Sequence, residues 1–304
     1  MIKKILITGG TGFVGQNLTQ YLNKNRYHDL ISLTRARLNS IELNDLDRVD
    51  TIIHLAGKAH DLKKGSNSEE YYKVNFELTK KLYNIFMGSN VKKFIFISSV
   101  KAAADSVEGM LTETYVPDPK THYGKSKLMA EDYIQSQTLP AGKSYYILRP
   151  CMIHGPGNKG NLNLLYQFVR KGIPYPLASF ENERSFLSVD NLCFVIKELL
   201  EQEEVPSGIY QVSDDEALST NEVVSSLAET LNRTPKLWHI PKSFIFALAK
   251  IGDKLKLPLN TERLNKLTEN YVVSNEKIKN VLNIQLPVPA REGLQLTARS
   301  FNKR

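Results

Sequence analysis

Three glycines at three-residue spacing separate a short apolar run from an amphipathic segment near the start of the chain. The run covers residues 5–8, and after the glycines apolar side chains recur at helical spacing over residues 13–22. In such a strand–loop–helix unit, glycines allow a tight turn, close approach of the backbone to a pyrophosphate, and close packing of the helix on the strand. We therefore expect this loop to bind a nicotinamide dinucleotide, through Gly9, Thr11, Gly12, Phe13, Val14 and Gly15.

Apolar runs and amphipathic segments continue to alternate along the chain. Runs typical of buried strands cover residues 30–33, 51–55, 93–97, 145–148 and 208–212, and helical patterns cover 72–86, 127–135 and 192–200. The alternation predicts an α/β fold with a Rossmann-type doubly wound parallel sheet. We expect a dinucleotide-binding domain over residues 1–150, to which the chain returns near 185–213. A smaller C-terminal α/β substrate lobe is expected over residues 151–184 and 214–304.

Local patterns give further structural expectations. Asp190 is expected to cap the helix over residues 192–200, and Ser219 or Thr220 to cap the helix that follows. His54 ends a buried strand, so a hydrogen-bonded core residue is expected there rather than a general base. Trp238 and the apolar residues 244–248 favour packing in the small lobe over an oligomer or membrane surface.

The composition is that of an ordinary globular protein with a mild positive charge. Of 304 residues, 41% are hydrophobic and 24% are charged, and the formal net charge is +8. The basic residues come in scattered pairs without interleaved aromatics, so we expect no nucleic-acid binding. No stretch of about twenty apolar residues occurs, so no membrane insertion is expected. Cys151 and Cys193 suit buried thiols in a cytoplasmic protein, and without zinc spacing no metal is expected.

The end of the second predicted strand bears on which dinucleotide is bound. Enzymes that use NAD usually have Asp or Glu there, which accepts a hydrogen bond from the ribose 2′-hydroxyl. This chain has Thr34-Arg35-Ala36-Arg37 instead. A carboxylate would repel a 2′-phosphate, whereas Arg35 can bind one with its fork of donors, so we expect NADP(H). The alternative is NAD(H), with both arginines simply solvated at the end of the strand.

Tyr123-Gly-Lys-Ser-Lys127 has the spacing of an acid–base pair on a helix. Residues four apart share a helix face, so Lys127 is expected beside the Tyr123 phenol. There its cation would lower the phenol's pKa from about 10, and it could also reach the nicotinamide ribose. Upstream, Ser98 and Ser99 end a buried strand, at the sheet edge where ligands bind in open α/β folds. We expect Ser99 to hydrogen-bond the substrate oxygen that Tyr123 protonates, and Ser98 to be structural or to face the cofactor.

The glycine loop and the Tyr–Lys pair occur together with four further motifs. These are His54-Leu-Ala-Gly57, Val74-Asn75, Phe96-Ile-Ser-Ser99 and Leu148-Arg-Pro150. The set resembles the extended short-chain dehydrogenases/reductases, the NAD-dependent epimerase/dehydratase family of nucleotide-sugar epimerases, dehydratases and reductases. The resemblance implies a homodimer, a catalytic triad of Ser99, Tyr123 and Lys127, and a position for Lys101 near the sugar. It also implies further cofactor contacts, from Leu55, Ala56, Gly57, Asn75, Ser98, Pro150 and Ile153.

Four segments of the second half carry a narrower resemblance. They are Gly157-Asn-Lys-Gly-Asn-Leu162, Gly172-Ile-Pro-Tyr-Pro176, Asn182-Glu-Arg-Ser185 and Val189-Asp-Asn191. They are similar to bacterial 4-keto reductases that produce UDP-N-acetylquinovosamine or UDP-N-acetylfucosamine for polysaccharide and O-antigen assembly. The similarity implies that Arg184 contacts the UDP diphosphate and that Asn161 and Leu162 contact the nucleotide. The alternative for Arg184 is a surface ion pair with Glu181 or Glu183.

One departure from the family pattern concerns the connection between the second strand and His54. The connection is short, so we expect the usual third strand and its crossover helix to be trimmed. The adenine contacts are therefore left unassigned, and Asp45 is given no role.

The expected function is NADPH-dependent reduction of the C4 ketone of a UDP-linked 6-deoxy-4-keto-N-acetylhexosamine. A UDP-hexose 4-epimerase with tightly bound NAD would use the same residues, although Arg35 argues against it. A non-catalytic NADP-sensing regulator is a third alternative, which the presence of Ser99, Tyr123 and Lys127 disfavours.

Overall fold

The structure is a computed structural model that describes residues 3–24, 28–58, 68–158, 160–255 and 260–301, without the side chain of Arg35. The first half of the chain contains β1 (Lys3–Thr8), α1 (Phe13–Asn23), β2 (His28–Leu33), α2 (Arg35–Asn39), β3 (Thr51–His54), α3 (Ser68–Tyr71), α4 (Leu78–Gly88), β4 (Lys93–Ile97), β5 (Met110–Leu111), α5 (His122–Ser136) and β6 (Ser144–Pro150). The second half contains β7 (Met152–His154), α6 (Asn161–Arg170), β8 (Arg184–Ser188), α7 (Val189–Glu201), β9 (Gly208–Val212), β10 (Ala217–Leu218), α8 (Thr220–Glu229), α9 (Lys242–Leu255), α10 (Thr261–Thr268), β11 (Val272–Val273), α11 (Glu276–Leu282) and α12 (Ala290–Phe301).

The central sheet has six parallel strands in the order β2-β1-β3-β4-β6-β9. The order reverses at β1, because β2 pairs with one side of this strand and β3 with the other. In doubly wound folds, ligands bind outside the carboxyl ends of the strands at such a reversal. The Rossmann-type fold is confirmed, and the reversal places the glycine loop after β1 at the expected binding crevice.

Both faces of the sheet are covered by apolar clusters. Successive side chains of a strand point to opposite faces, so one strand contributes to both clusters. Ile5 and Ile7 of β1 share an apolar cluster with Leu18 of α1. Leu6, which lies between them, belongs to a second cluster on the other face, with Phe86 of α4. Continuous apolar runs therefore predicted the buried strands β3 and β4 correctly, whereas β2, at the edge of the sheet, is only partly buried.

The connection between β2 and β3 is as short as the sequence predicted. It holds only α2 and a 3₁₀ turn over Leu43–Leu46, and β2 is the edge strand of the sheet. Residues 34–50 are all described and contain no strand. The edge beside the glycine loop is therefore more open than in a sheet with a further strand outside β2.

Many residues of the predicted small lobe share an apolar cluster of their own. A three-stranded sheet in the order β10-β8-β7 lies beside it, and β11 pairs with β5. Helices α6, α8, α9, α10 and α12 all bury residues in the lobe's core, for example Tyr166 and Leu227.

Of the two helix caps predicted in this half of the chain, one is correct and one is wrong. Ser219 caps α8 in a reciprocal capping box with Glu222, as predicted. Helix α7, however, is capped by Ser188, whose Oγ accepts hydrogen bonds from the amides of Asp190 at 3.2 Å and Asn191 at 3.3 Å. Asp190 lies inside the first turn, where its charge suits the helix dipole but its side chain is not the cap.

The expected packing of Trp238 and residues 244–248 in the small lobe is largely wrong. Trp238 is 56% exposed and Phe244 57% exposed, whereas Ile245 is buried. Only every third or fourth residue of α9 faces the lobe, so a run of consecutive apolar residues cannot all be buried. Among the residues that the structure describes, no helix combines the length and apolarity needed to cross a membrane. Cys151 and Cys193 are buried free thiols, as predicted.

Candidate active site

The glycine loop closes tightly against the chain that follows β3. Gly9 has φ +73°, and a Cβ there would lie 2.7 Å from the backbone nitrogen of Ala56, closer than packing allows. Gly12 directly precedes α1 as its N-cap, and no side chain caps this helix start. The loop thus forms a narrow cradle of backbone groups at a helix N-terminus, which fits a pyrophosphate. The predicted contact residues Thr11, Phe13 and Val14 lie at this helix start.

The chain after β3 lies directly against two predicted site residues. A Cβ on Gly57 would lie 3.1 Å from Oδ1 of Asn75 and 3.2 Å from Nζ of Lys127. Leu55 and Ala56, predicted to line the cofactor, precede Gly57 on the same strand end. The structure therefore brings together residues from β3, the α3–α4 segment and α5 beside the glycine loop.

Asn75 lies in a wide helical turn that the sequence did not predict. The expected helix over residues 72–86 begins instead at Ser68 and passes through a π-helical segment, Tyr72–Glu77. Within it, Oδ1 of Asn75 accepts a hydrogen bond from the amide of Lys58 at 2.7 Å, and Nδ2 donates to Ser126 Oγ at 3.0 Å. Such turns often occur at functional sites. Here the turn ties the chain after β3 to the helix that carries Lys127.

The three predicted catalytic side chains come together at the carboxyl edge of the sheet. Ser99 follows β4, and its side chain is hydrogen-bonded to the phenol of Tyr123. Lys127 lies one helical turn after Tyr123 and donates to the carbonyl of Ile97 at 2.8 Å. Tyr71 packs edge-on against the Tyr123 ring at 6.2 Å between centroids. Tyr71 is a contact that the sequence reasoning missed, and no signal in the sequence pointed to it.

Burial controls the acid–base properties of this group. It raises the pKa of Tyr123, and the hydrogen bond from Ser99 offsets only part of that increase. Burial also lowers the pKa of Lys127 to about 8, against the opposing effect of the Glu131 carboxylate. Lys127 and the oxidised nicotinamide together were expected to lower the pKa of Tyr123, whereas in the protein alone burial raises it. The phenol is held protonated, as a proton donor requires.

A buried ion pair lies directly below the triad. Glu131 and Arg149 are almost fully buried, and the Arg149 Nε donates to both carboxylate oxygens, at 3.1 and 3.0 Å. Ser98 donates its hydroxyl to the same carboxylate. The hydroxyl of Ser98 is thus engaged in the protein interior, which fits the structural role among the two that were expected. Glu131 could have been found from the sequence, because it lies four residues beyond Lys127 on the same helix face.

His54 is a buried histidine with both ring nitrogens hydrogen-bonded, as predicted. Its ring nitrogens hydrogen-bond Thr8 Oγ1 at 2.7 Å and Thr79 Oγ1 at 2.9 Å. Burial lowers its pKa to about 3, so the ring stays neutral.

The substrate side of the crevice holds a cluster of charges around Arg184. Arg184 opens β8 and forms an ion pair with Glu269 at 3.6 Å, while its Nη1 donates to the carbonyl of Lys266 at 3.1 Å. The expected alternative partners, Glu181 and Glu183, are therefore the wrong ones. Glu269 comes from a distant part of the chain, so local sequence could not identify it.

Lys101 faces the same cluster. Its Nζ donates to the carbonyl of Asp105 at 2.7 Å and lies 4.1 Å from the ring centroid of Tyr271. Burial lowers its pKa, with Glu269 opposing and Arg184 adding to that effect. Lys101 and Arg184 are thus close enough for the charge of one to affect the pKa of the other. Two positive side chains placed in this way suit an anionic substrate.

The remaining predicted contacts differ in how available they are. Asn161 is exposed at the start of α6, whereas Leu162 is 4% exposed and belongs to the core of the small lobe. Only the backbone of Leu162 is therefore free to contact a nucleotide. Pro150 ends β6, and Ile153 in β7 packs on the main apolar cluster at the edge of the crevice.

The end of β2 holds no carboxylate close to the crevice. Thr34 caps α2, and Arg37 pairs with Asp45 at 2.8 Å. Asp45 also accepts from the amide of Glu42 at 3.0 Å. The first two carboxylates after β2, Glu42 and Asp45, are thus engaged in a reciprocal capping box within the short connection. Arg35 is the first residue of α2, and its side chain lies outside the described part of the structure.

A parallel sheet with a glycine cradle at its reversal and a Tyr–Lys pair at the same edge defines a nicotinamide-dependent α/β protein of the dehydrogenase/reductase type. Comparison with known proteins narrows the class. The chain belongs to the NAD dependent epimerase/dehydratase family, which residues 5–213 match.

Individual relatives differ in the reaction their names describe. The chain is 31% identical to a UDP-glucose 4-epimerase of Vibrio cholerae, over 99% of this chain and 96% of that protein. It is 25% identical to a UDP-2-acetamido-2,6-beta-L-arabino-hexul-4-ose reductase of Pseudomonas aeruginosa, over 88% of this chain and 66% of that protein. MoeE5, solved with UDP-glucose and NAD, has the same fold, with a TM-score of 0.77 at 21% identity and 99% coverage of both chains.

Proposed function

We propose that the protein reduces the C4 ketone of a UDP-linked 6-deoxy-4-keto-N-acetylhexosamine with NADPH, for the synthesis of bacterial polysaccharide precursors. The observation that carries the proposal is the hydrogen bond between Ser99 and Tyr123 beside Lys127, at the sheet edge next to the glycine cradle. A protonated phenol and a second hydroxyl aimed at one point suit a carbonyl oxygen that takes up negative charge.

Each member of the triad has a separate task in this reaction. NADPH, when bound, supplies the hydride that adds to C4. Tyr123 donates its proton to O4 as the C4–O4 double bond becomes a single bond, which leaves an alcohol. Ser99 donates a hydrogen bond to the same oxygen while its charge develops. Lys127, as a cation, stabilises the phenolate that remains on Tyr123 until it is reprotonated from solvent.

The UDP group is proposed to hold the sugar in place from the other side of the crevice. The guanidinium group of Arg184 has hydrogen-bond donors that match the oxygens of a diphosphate. In the structure this group forms an ion pair with Glu269 at 3.6 Å. Binding energy from a remote diphosphate can position C4 against the nicotinamide and so raise the rate of hydride transfer. The reductase of Pseudomonas aeruginosa supports this choice of substrate, because its name describes a UDP-linked 4-hexulose.

NADPH is favoured over NADH by the end of β2. Residues 34–37 include two arginines and no carboxylate, and Asp45 is engaged with Arg37. The test is a comparison of kcat/KM for the two cofactors at fixed 4-keto sugar. We expect a preference for NADPH of about tenfold or more, since a charge-assisted hydrogen bond contributes about 1.5–3 kcal/mol. A preference for NADH would overturn the assignment.

A UDP-hexose 4-epimerase is the second candidate, and the relative in Vibrio cholerae favours it. An epimerase would use the same triad to oxidise C4 and then reduce it on the other face. It would keep NAD tightly bound and need no added cofactor. Purified protein that carries stoichiometric NAD and interconverts UDP-GlcNAc and UDP-GalNAc would establish this function in place of the reductase.

A further inference from the structure

Helix α9 presents an unusual apolar stripe to the outside of the small lobe. Ile245, Ala249 and Gly252 are buried against the lobe. Phe244, Leu248, Ile251 and Leu255 follow one another at intervals of four, three and four residues, so they form one continuous stripe. They are 57%, 40%, 49% and 65% exposed, respectively. A helix of an ordinary globular protein has polar side chains on its solvent face.

An exposed tryptophan lies just before α9 in the chain. Trp238 precedes α9 by four residues and is 56% exposed. It is the one tryptophan in the chain. Aromatic side chains with a polar edge are favoured at the boundary between lipid and water. Together with the stripe it forms what we call the α9 surface: Trp238, Phe244, Leu248, Ile251 and Leu255.

The charges of the chain segment that contains α9 are almost all positive. Residues 233–256 include six Lys or Arg and one acidic residue, Asp253. The Asp253 carboxylate faces α10, where it accepts hydrogen bonds from the amide and hydroxyl of Thr261, at 3.0 and 2.5 Å. At 100° per residue, Lys254 and Lys250 lie on the same side of the stripe, about 60° and about 100° around the helix from Ile251. The apolar stripe is complementary to an apolar region of a partner, and the lysines on one side of it are complementary to negative charge at the border of that region.

We propose that the α9 surface docks the protein on an anionic phospholipid bilayer, with α9 lying in the plane of the headgroups. Amphipathic helices with a basic polar face and Phe, Leu or Trp on the other face bind membranes in this way. Attraction between Lys250, Lys254 and anionic headgroups adds to the burial of the stripe. Part of the chain would thus enter a membrane, contrary to the expectation from composition, although no described helix spans one.

A second copy of the chain fits the α9 surface less well. A symmetric dimer places the same patch of each subunit against the other. The lysines Lys250 and Lys254 of both copies would then lie in one interface, whereas the only acidic residue of the segment, Asp253, is engaged with Thr261. Like charges so placed oppose the contact. Anionic headgroups remove this conflict.

The α9 surface is connected to the substrate side of the crevice. Helix α10 packs on α9, and its Lys266 carbonyl accepts the hydrogen bond from Arg184 Nη1 at 3.1 Å. Docking would therefore place the bilayer on the lobe that carries the proposed diphosphate contact.

The proposal is tested by sedimentation of the full-length protein with unilamellar vesicles. Vesicles that contain about 30 mol% phosphatidylglycerol in phosphatidylethanolamine are compared with vesicles of phosphatidylcholine alone, at low and high salt. We expect binding to the anionic vesicles that weakens with salt. The emission of Trp238 should shift to shorter wavelength on binding, and no other tryptophan contributes to that signal.

Two variants and a matched control make the test specific. Phe244→Ser/Ile251→Ser/Leu255→Ser removes most of the stripe, and Lys250→Glu/Lys254→Glu reverses its flanking charge; each should reduce vesicle partitioning by about tenfold or more. The control Leu43→Ser/Leu296→Ser changes side chains that are 51% and 38% exposed elsewhere. It should bind as the unmodified protein does. Circular dichroism and thermal unfolding confirm that each variant is folded.

Two results would overturn the proposal. The first is no binding to anionic vesicles, or binding that the two α9 variants and the control reduce equally. The second is concentration-dependent self-association without lipid that the stripe variant abolishes, measured by sedimentation velocity, with no vesicle binding. That second result would assign the α9 surface to a contact between copies of the chain.

Discussion

At the scale of single residues, the burial of Tyr123 matters as much as its spacing from Lys127. The sequence predicts that the two share a helix face, and the structure confirms it. The sequence does not show how deeply the pair is buried, because depth depends on elements far along the chain. Burial raises the pKa of the phenol and lowers that of Lys127 to about 8. The pair thus begins with the proton on Tyr123, as reduction requires.

Replacement of Tyr123 tests its role as proton donor. Tyr123→Phe removes the hydroxyl and leaves the ring, so NADPH binding should change less than about twofold while kcat falls by about 10²–10⁴-fold. Tyr133→Phe is the matched control, since this tyrosine lies on the same helix and donates to Asn84. Steady-state kinetics and fluorescence titration with NADPH measure both quantities. Retained turnover in Tyr123→Phe would remove Tyr123 from the mechanism.

The pKa of Lys127 predicts the alkaline limit of the reaction. The amine is protonated below a pKa of about 8 and loses its charge as the pH rises through that value. Since the pKa of Tyr123 is raised, the phenol itself stays protonated over the same range. We expect log kcat/KM for reduction to be level below pH 8 and to fall above it with a slope near one. A profile that stays level to pH 9.5 would show that the charge of Lys127 is not needed.

At the scale of elements, the buried pair of Glu131 and Arg149 fixes α5 to β6 below the active site. The strand and the helix were both predictable from apolar runs and spacing. Their mutual contact was not, because it depends on how far the helix lies along the sheet. The same holds for Ser98, whose hydroxyl joins this pair although its position after β4 also suited a cofactor contact. Polar residues within apolar runs, such as Arg149, are the signal for such contacts.

Breaking this pair should destabilise the protein more than removing it. Arg149→Met leaves the Glu131 carboxylate buried without its main partner and should cost about 3–5 kcal/mol of unfolding free energy. Glu131→Met/Arg149→Met removes both charges and should recover most of that loss. Urea unfolding at pH 7 measures both changes. A single variant that costs under about 1 kcal/mol, or a double variant no more stable than the single, would contradict this account.

At the scale of the whole molecule, the fold and the proximity of Ser99, Tyr123 and Lys127 were predictable, and the cluster around Arg184 was not. The periodicity of apolar residues and the spacing of the glycines are local properties of the sequence. They predict the sheet, the reversal of its strand order and the loop after β1. The cluster of Lys101, Arg184 and Glu269 joins residues more than 150 positions apart. Likewise, the exposure of α9 follows from which of its faces the lobe covers. Neither the contacts within this cluster nor the exposed face of α9 can be predicted from the local sequence pattern.

The fate of the hydride from NADPH distinguishes a 4-ketone reductase from a 4-epimerase. The protein is incubated with UDP-4-keto-6-deoxy-GlcNAc, generated enzymatically, and with NADPH deuterated on either face of the nicotinamide C4. NMR then locates the label in the sugar. The account predicts one product with deuterium at sugar C4 from one of the two labelled cofactors, and no product with Tyr123→Phe. No oxidation of NADPH by this sugar, together with interconversion of UDP-GlcNAc and UDP-GalNAc without added cofactor, would contradict it.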